Sequence, residues 1–236
     1  VNITAESYAG GIAGSNNTRN ATTASIEGGK VTGTVTATKN YAGGAAGANY
    51  ANITNVTLVD GACVRANDQF AGGIAGSNRA GNGQNGTITG CINNAGPNGN
   101  NYTVYATNGN AGGIAGSNEK GAQIINAGII AGGTFNSDPN DPTKSYVSTS
   151  SGTITGGTVG SCTITFAGES IGAVTAINNA GATISGVTLK ENANIAFHGP
   201  ATNVGGIAGK NAGTIGNCNV NSPALALSDL TARADS

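Results

Sequence analysis

Residues 9–16 read AGGIAGSN, and the same eight residues return at 71–78 and at 111–118. Three identical octapeptides exceed what composition supplies, even in a chain with 41 glycines. Identity at a fixed interval points to units that pack on copies of themselves. Variants stand at 42–49 (AGGAAGAN) and 204–211 (VGGIAGKN), and a worn version, IGAVTAIN, occupies 171–178. The closing asparagines are Asn16, Asn49, Asn78, Asn118, Asn178 and Asn211, with separations of 33, 29, 40, 60 and 33 residues. The unit is therefore about thirty residues with insertions, and the long interval has room for a degenerate copy. AGGTFN at 131–136 is the candidate.

A second element follows each motif: ANITNV at 51, GTITGC at 86, GAQIINA at 121, GATISGV at 181 and GTIGNC at 213, with GTVGSC (157–162) placed beside them. This puts Ile53, Ile88, Ile124, Val159, Ile184 and Ile215 in one column and Val56, Cys91, Ala127, Cys162, Val187 and Cys218 in the next. A short strand with one apolar column cannot bury its inner face alone, so it lies on the equivalent strand of the next unit. The expected fold is all-β, a β-solenoid (parallel β-helix) of about six to seven coils. Glycines are expected at corners that need positive φ or close backbone approach, and the closing asparagines at turns, with their amides bonded into a ladder.

Composition agrees. Charged residues are 9 % and aromatics 4 % of the chain, Trp and Met are absent, and helix formers are scarce. A formal net charge of −1 without basic clusters gives no electrostatic footprint for nucleic acid. No apolar run reaches membrane-spanning length. With no initiating Met and no signal-peptide pattern, the chain reads as a mature or excised piece of a longer product.

The GGIAG core, its asparagine and the following GTI-x-x-C resemble the GLUG repeat, whose usual form is GGLVG, a short polar stretch and GTI-x-x-C. The resemblance covers most of residues 8–221, and 135–151 departs from it most clearly. It implies a module of a large bacterial surface or secreted protein, extracellular or at the cell surface, with no shared catalytic residues. Residues 1–221 are expected to form the solenoid, with a loop insertion at 135–151. The glycine-free segment 222–236 is expected to be a cap, a linker or a donated strand.

Little in the chain suggests chemistry. His198 is the only histidine and has no triad or metal partners nearby. Asp138 and Asp141, in a loop with Asn136 and Asn140, lack regular calcium-ligand spacing. Cys91, Cys162 and Cys218 occupy a column of small hydrophobes and are expected as buried free thiols, which leaves Cys63 unexplained. Seven N-x-T sequons are about as many as the composition yields by chance. No cofactor, no metal and no enzymatic activity are expected. TGTVTAT at 32–38 has the alternation of an ice-binding face, but no later coil repeats it in that register.

The residue two places before each double glycine is Tyr8, Tyr41 and Phe70 in the first three units, and these rings form the candidate ligand or stacking face. Stacked units would bring them into a ladder that either faces solvent, where it meets sugar rings, or lines the core. The expected role is a spacer or adhesion module that binds a glycan or a host or neighbour-cell protein through a lateral face. The alternative is a homo-oligomer or filament built end to end through open solenoid edges.

Overall fold

The computed structural model describes residues 2–17, 23–81, 83–95, 104–107, 109–129, 133–137, 149–150, 152–159, 162–165, 168–172, 174–190, 195–198, 201–221 and 225–226. Its regular elements are all strands. Among the described residues every strand pairing is parallel except the small hairpin Ala80–Gly81 with Gln84–Asn85. The fold is the β-solenoid expected.

A coil runs through four stretches. A strand precedes the double glycine (Tyr8–Gly10, Tyr41–Gly43, Phe70–Gly72, Asn110–Gly112), and a second follows it (Ala13–Asn16, Ala46–Asn49, Ala75–Asn78, Ala115–Asn118). A third surrounds the isoleucine (Ser25–Glu27, Asn52–Thr54, Thr87–Thr89, Gln123–Ile125), and a return stretch such as Lys30–Ala37 or Thr57–Ala66 climbs to the next coil. The second and third strands each stack seven deep, whereas the first forms one ladder of four strands and one of two. The solenoid completes about five turns, slightly fewer than the six to seven coils that repeat spacing predicts.

Each strand buries alternate residues because successive side chains point to opposite faces. Ile53, Ile88, Ile124, Ile154 and Ile184 stack as one buried column, partnered rung by rung. Val35, Val64 and Val104 form another on the return stretch, each fully buried. Complete burial of such a side chain stabilises by about 1.5–3 kcal/mol, so a few dozen inward residues suffice for a chain with few large hydrophobes.

Three expectations need correcting. The fifth isoleucine-column residue is Ile154, paired with Ile124 and Ile184, and Val159 instead pairs with Ile129 and Leu189 on the return stretch. Cys162 consequently leaves the cysteine column: its strand Cys162–Thr165 pairs with Gly133–Ser137 and Ile195–His198. GTVGSC imitates the motif, but GTITGG at 152–157 is the segment that supplies an inward isoleucine between two outward threonines. Likewise AGGTFN is not the degenerate copy of the opening motif. Gly133–Ser137 belongs to the return stretch, and the missing copy survives as Thr149–Ser150, paired with Ser117–Asn118 and with Ile177–Asn178. Of the predicted insertion 135–151, residues 138–148 and 151 lie outside the described residues, as does most of 222–236, where Leu225–Ala226 pairs with Ile195–Ala196.

The third correction concerns the corners. The closing asparagines are not in left-handed turns. Asn16, Asn49, Asn78, Asn118 and Asn178 lie in extended strands and are buried. Positive φ occurs one residue after the isoleucine strand, at Gly28, Asn55, Gly90, Asn126, Gly156, Gly186 and Asn217. Only glycine or asparagine fills this column, as the left-handed region requires. The motif's own third glycine serves close approach instead: a Cβ on Gly76 would lie 2.9 Å from the backbone N and O of Ala42, so the strands flanking the double glycine meet almost backbone to backbone.

Candidate functional site

Stacking of whole coils turns each motif position into a column, and three neighbouring columns make the chain's most distinctive surface. The first is the aromatic one. Tyr8, Tyr41 and Phe70 are register partners, with centroids 5.3 Å apart and 18° between planes for the first pair, 5.8 Å and 9° for the second. Tyr8 is exposed, while Tyr41 and Phe70 are half-buried. The ladder thus stands at the surface, with its rings stacked face on face and their edges outward. Asn110 continues the column in the fourth coil.

The second column was missed in the sequence. Each ladder asparagine is followed by one residue on the same rung: Tyr50 after Asn49, Arg79 after Asn78 and Glu119 after Asn118. Backbone bonds from Tyr50 N to Asn16 O, Arg79 N to Asn49 O and Glu119 N to Asn78 O, at 2.8–2.9 Å, fix the three as successive rungs. Arg79 is the hub. Its Cζ lies 4.4 Å from the Tyr41 ring centroid and 5.9 Å from that of Tyr50, its Nη1 donates to the Tyr50 hydroxyl at 3.1 Å, and its Nε lies 3.1 Å from Glu119 Oε1. Such cation–π contacts are worth about 0.5–2 kcal/mol. Burial works against the Arg79 charge, but the Tyr50 hydroxyl and the Glu119 carboxylate outweigh it and hold the guanidinium pKa above its ordinary value. The signal for this column was the single position after each closing asparagine, which the varied residue types there obscured.

Beneath these columns runs the asparagine ladder. Asn16 Nδ2 donates to Asn49 Oδ1 at 2.8 Å, Asn49 to Asn78 at 2.8 Å, Asn78 to Asn118 at 3.0 Å, and Asn178 to Asn211 at 2.8 Å. The second amide hydrogen goes to a backbone carbonyl, as from Asn78 to Gln123 O at 2.9 Å. Every bond runs the same way, from an earlier coil to a later one. Ser77 and Ser117 add a buried hydroxyl pair at 2.7 Å, and Ser77 Oγ also meets Arg79 Nε at 2.9 Å, which ties the ladder to the surface cluster. A buried asparagine that sequence columns did not single out, Asn93, replaces leucine in the Leu58 and Leu189 position. It donates to Gly113 O at 2.9 Å and accepts from Ala95 N at 3.2 Å.

The remaining sequence candidates stay apart from this face. Cys91 is buried and free, and burial pushes its thiol pKa up. Cys218 is free and half-buried, and Cys63 is a free half-buried thiol on the outward side of Thr57–Ala66, opposite Thr34. His198 ends the strand Ile195–His198. Asp138 and Asp141 lie outside the described residues. Among the described residues no three His, Cys, Asp or Glu side chains gather as metal ligands, and no helix is long and apolar enough to cross a membrane. Searches of protein-family models, curated proteins and solved structures returned no match to the chain.

Proposed function

We propose that the chain is a non-catalytic module of a bacterial cell-surface or secreted protein, a rigid spacer that adheres to a partner protein through the face built from Tyr8, Tyr41, Phe70, Tyr50, Arg79 and Glu119. The GLUG-like motif supplies the setting, and it stands on the motif residues alone. The observation that carries the reading is the gathering at one surface of four of the chain's ten aromatic residues, two of them against one arginine. Tyrosine and arginine are the residue types that carry protein interfaces, because they offer large rigid area with polar tips.

Of the two partner classes, protein is favoured over glycan on geometry. A sugar ring stacks on a free aromatic face, but Tyr41 has Tyr8 on one ring and Phe70 and Arg79 against it as well. What the ladder offers a partner is ring edges, two tyrosine tips, a guanidinium and a carboxylate.

Binding of the intact chain to arrays of purified extracellular proteins and of glycans tests the reading, with Tyr50→Ala, Arg79→Ala and, on another face, Thr155→Ala. A protein ligand whose affinity falls about tenfold or more in the first two variants, an interface side chain contributing on the order of 1–2 kcal/mol, with Thr155→Ala unchanged, is the expected result. Ligands that bind all variants equally would place adhesion elsewhere.

A further inference from the structure

Arg79 has more hydrogen-bonding capacity than its neighbours use. Its Nη1 donates to the Tyr50 hydroxyl, and its Nε lies against Ser77 Oγ and Glu119 Oε1, but among the described residues no acceptor meets Nη2. The side chain is nevertheless only 18 % exposed and lies over the Tyr41 ring. Its unused donors therefore stand at the surface on a guanidinium that is already held in one pose and largely stripped of water, so a partner that takes them orders little further.

The repeat is also broken at the very next residue. Ala51, Gly86 and Ala122 occupy one column. Tyr50 joins Ala51 directly and Glu119 reaches Ala122 through Lys120 and Gly121, but Arg79 reaches Gly86 only through residues 80–85. These carry the antiparallel hairpin of Ala80–Gly81 with Gln84–Asn85, closed by a bond from Gly86 N to Arg79 O at 2.6 Å. Gly83, Gln84 and Asn85 are exposed. A Cβ on Gly81 would lie 3.6 Å from Tyr50 Cδ1 and Cε1, so the hairpin backbone rests on the Tyr50 ring. Contact thus runs from the hairpin to Tyr50, from the Tyr50 hydroxyl to Arg79, and from Arg79 to Tyr41. Insertions into a stacked repeat gather on the face that binds, and this one supports the arginine with the unused donors.

We propose that Arg79 anchors a carboxylate of the partner protein, an Asp or Glu side chain on a protruding loop, and that the hairpin holds the guanidinium in the pose that receives it. The inference rests on the adhesive reading of this same face. A carboxylate fits because it is planar and of opposite charge and accepts the paired N–H groups of a guanidinium together. Glu119 already takes the Nε side, which leaves Nη2 for the incoming group. Tyr41 and Tyr50 flank the site and keep water from the ion pair. A protein side chain is the source because it reaches between ring edges, whereas a carboxylated sugar needs a free ring face beside the charge, and Tyr41 has neighbours against it.

A displayed library of disulfide-constrained random peptides, panned on the intact chain, tests this. Enriched peptides are then synthesised with each Asp changed to Asn and each Glu to Gln. The proposal expects an acid whose amide counterpart binds the wild type about tenfold or more weakly, as a hydrogen-bonded charge implies. Arg79→Lys keeps the charge and loses the fork, and is expected to shrink that preference to a few-fold. Replacing residues 80–85 with Lys-Gly, the connection used at 120–121, is expected to leave the circular dichroism spectrum unchanged and to shrink the preference likewise, which a merely structural hairpin would not do. Peptides lost in Tyr50→Ala but indifferent to the amide exchange overturn the carboxylate anchor and leave the adhesive reading standing. Peptides bound equally by the wild type, Tyr50→Ala and Arg79→Ala overturn both. A library that yields no binder, while oligogalacturonate or no probe at all binds through Arg79, overturns the protein source.

Discussion

Asn178 has a buried amide oxygen with no donor, and the cause lies one coil earlier. The ladder bonds from Asn16, Asn49 and Asn78 each run to the asparagine of the following coil, but the rung before Asn178 holds Ser150. Serine carries no amide, so the run of asparagines in this column is broken where the repeat is most worn. An unmet buried acceptor costs about 1–3 kcal/mol. Ser150→Asn is expected to restore the run and stabilise by about 1 kcal/mol, a rise in Tm of about 2–4 °C for a chain of this size, measured by calorimetry. The reverse test is Asn78→Ala, which leaves Asn49 Nδ2 and Asn118 Oδ1 short of a partner and is expected to destabilise by about 3 kcal/mol in urea titration. Cys91 gives a residue-scale prediction in pH. Burial favours its neutral thiol, so the folded protein resists alkylation at pH 8 and the residue reacts only after denaturation, while half-exposed Cys63 labels in the native state. The sign follows: the fold excludes the Cys91 thiolate, so stability declines as pH rises past the ordinary thiol range.

At the scale of elements, the left-handed column after each isoleucine strand carries its own steric rule. A Cβ on Gly28 would meet nothing within 4 Å, but one on Gly90 would lie 2.5 Å from Asn55 Oδ1. Gly28→Asn is therefore expected to be nearly neutral, whereas Gly90→Asn requires the Asn55 amide to turn aside and is expected to cost more, although both positions have φ near +60° and asparagine serves at Asn55 and Asn126. Equal losses in thermal melts would show that conformation alone, and not the stacked neighbour, decides the residue. These elements also show how far a sequence can be read. Isoleucine columns and the asparagine ladder were legible because like residues recur at one spacing. The fifth coil was misread because GTVGSC carries the motif's letters while GTITGG occupies its place, and only strand pairing tells a short apolar strand from its neighbour. Tyr50, Arg79 and Glu119 escaped notice because three residue types in one column leave no periodic mark; their contacts exist only after coils stack.

At the scale of the whole molecule, the described residues form a short rod. Seven rungs make six steps of about 4.7–4.9 Å, roughly 29 Å along the axis, and among the described residues the exposed large hydrophobic side chains fall on the first and last coils. The fold class was legible from the repeats, yet the axial order that positions the aromatic and arginine columns depends on one register throughout. That register is the central claim, and the fifth coil is where sequence and structure part. Two double variants decide it by oxidative crosslinking, read by peptide mass spectrometry: Gln123→Cys with Thr153→Cys, which are partners across neighbouring coils, and Gln123→Cys with Thr158→Cys, which would be partners if Val159 occupied the isoleucine column. The account predicts a disulfide in the first pair and none in the second. A bond between residues 123 and 158 with none between 123 and 153 would contradict it.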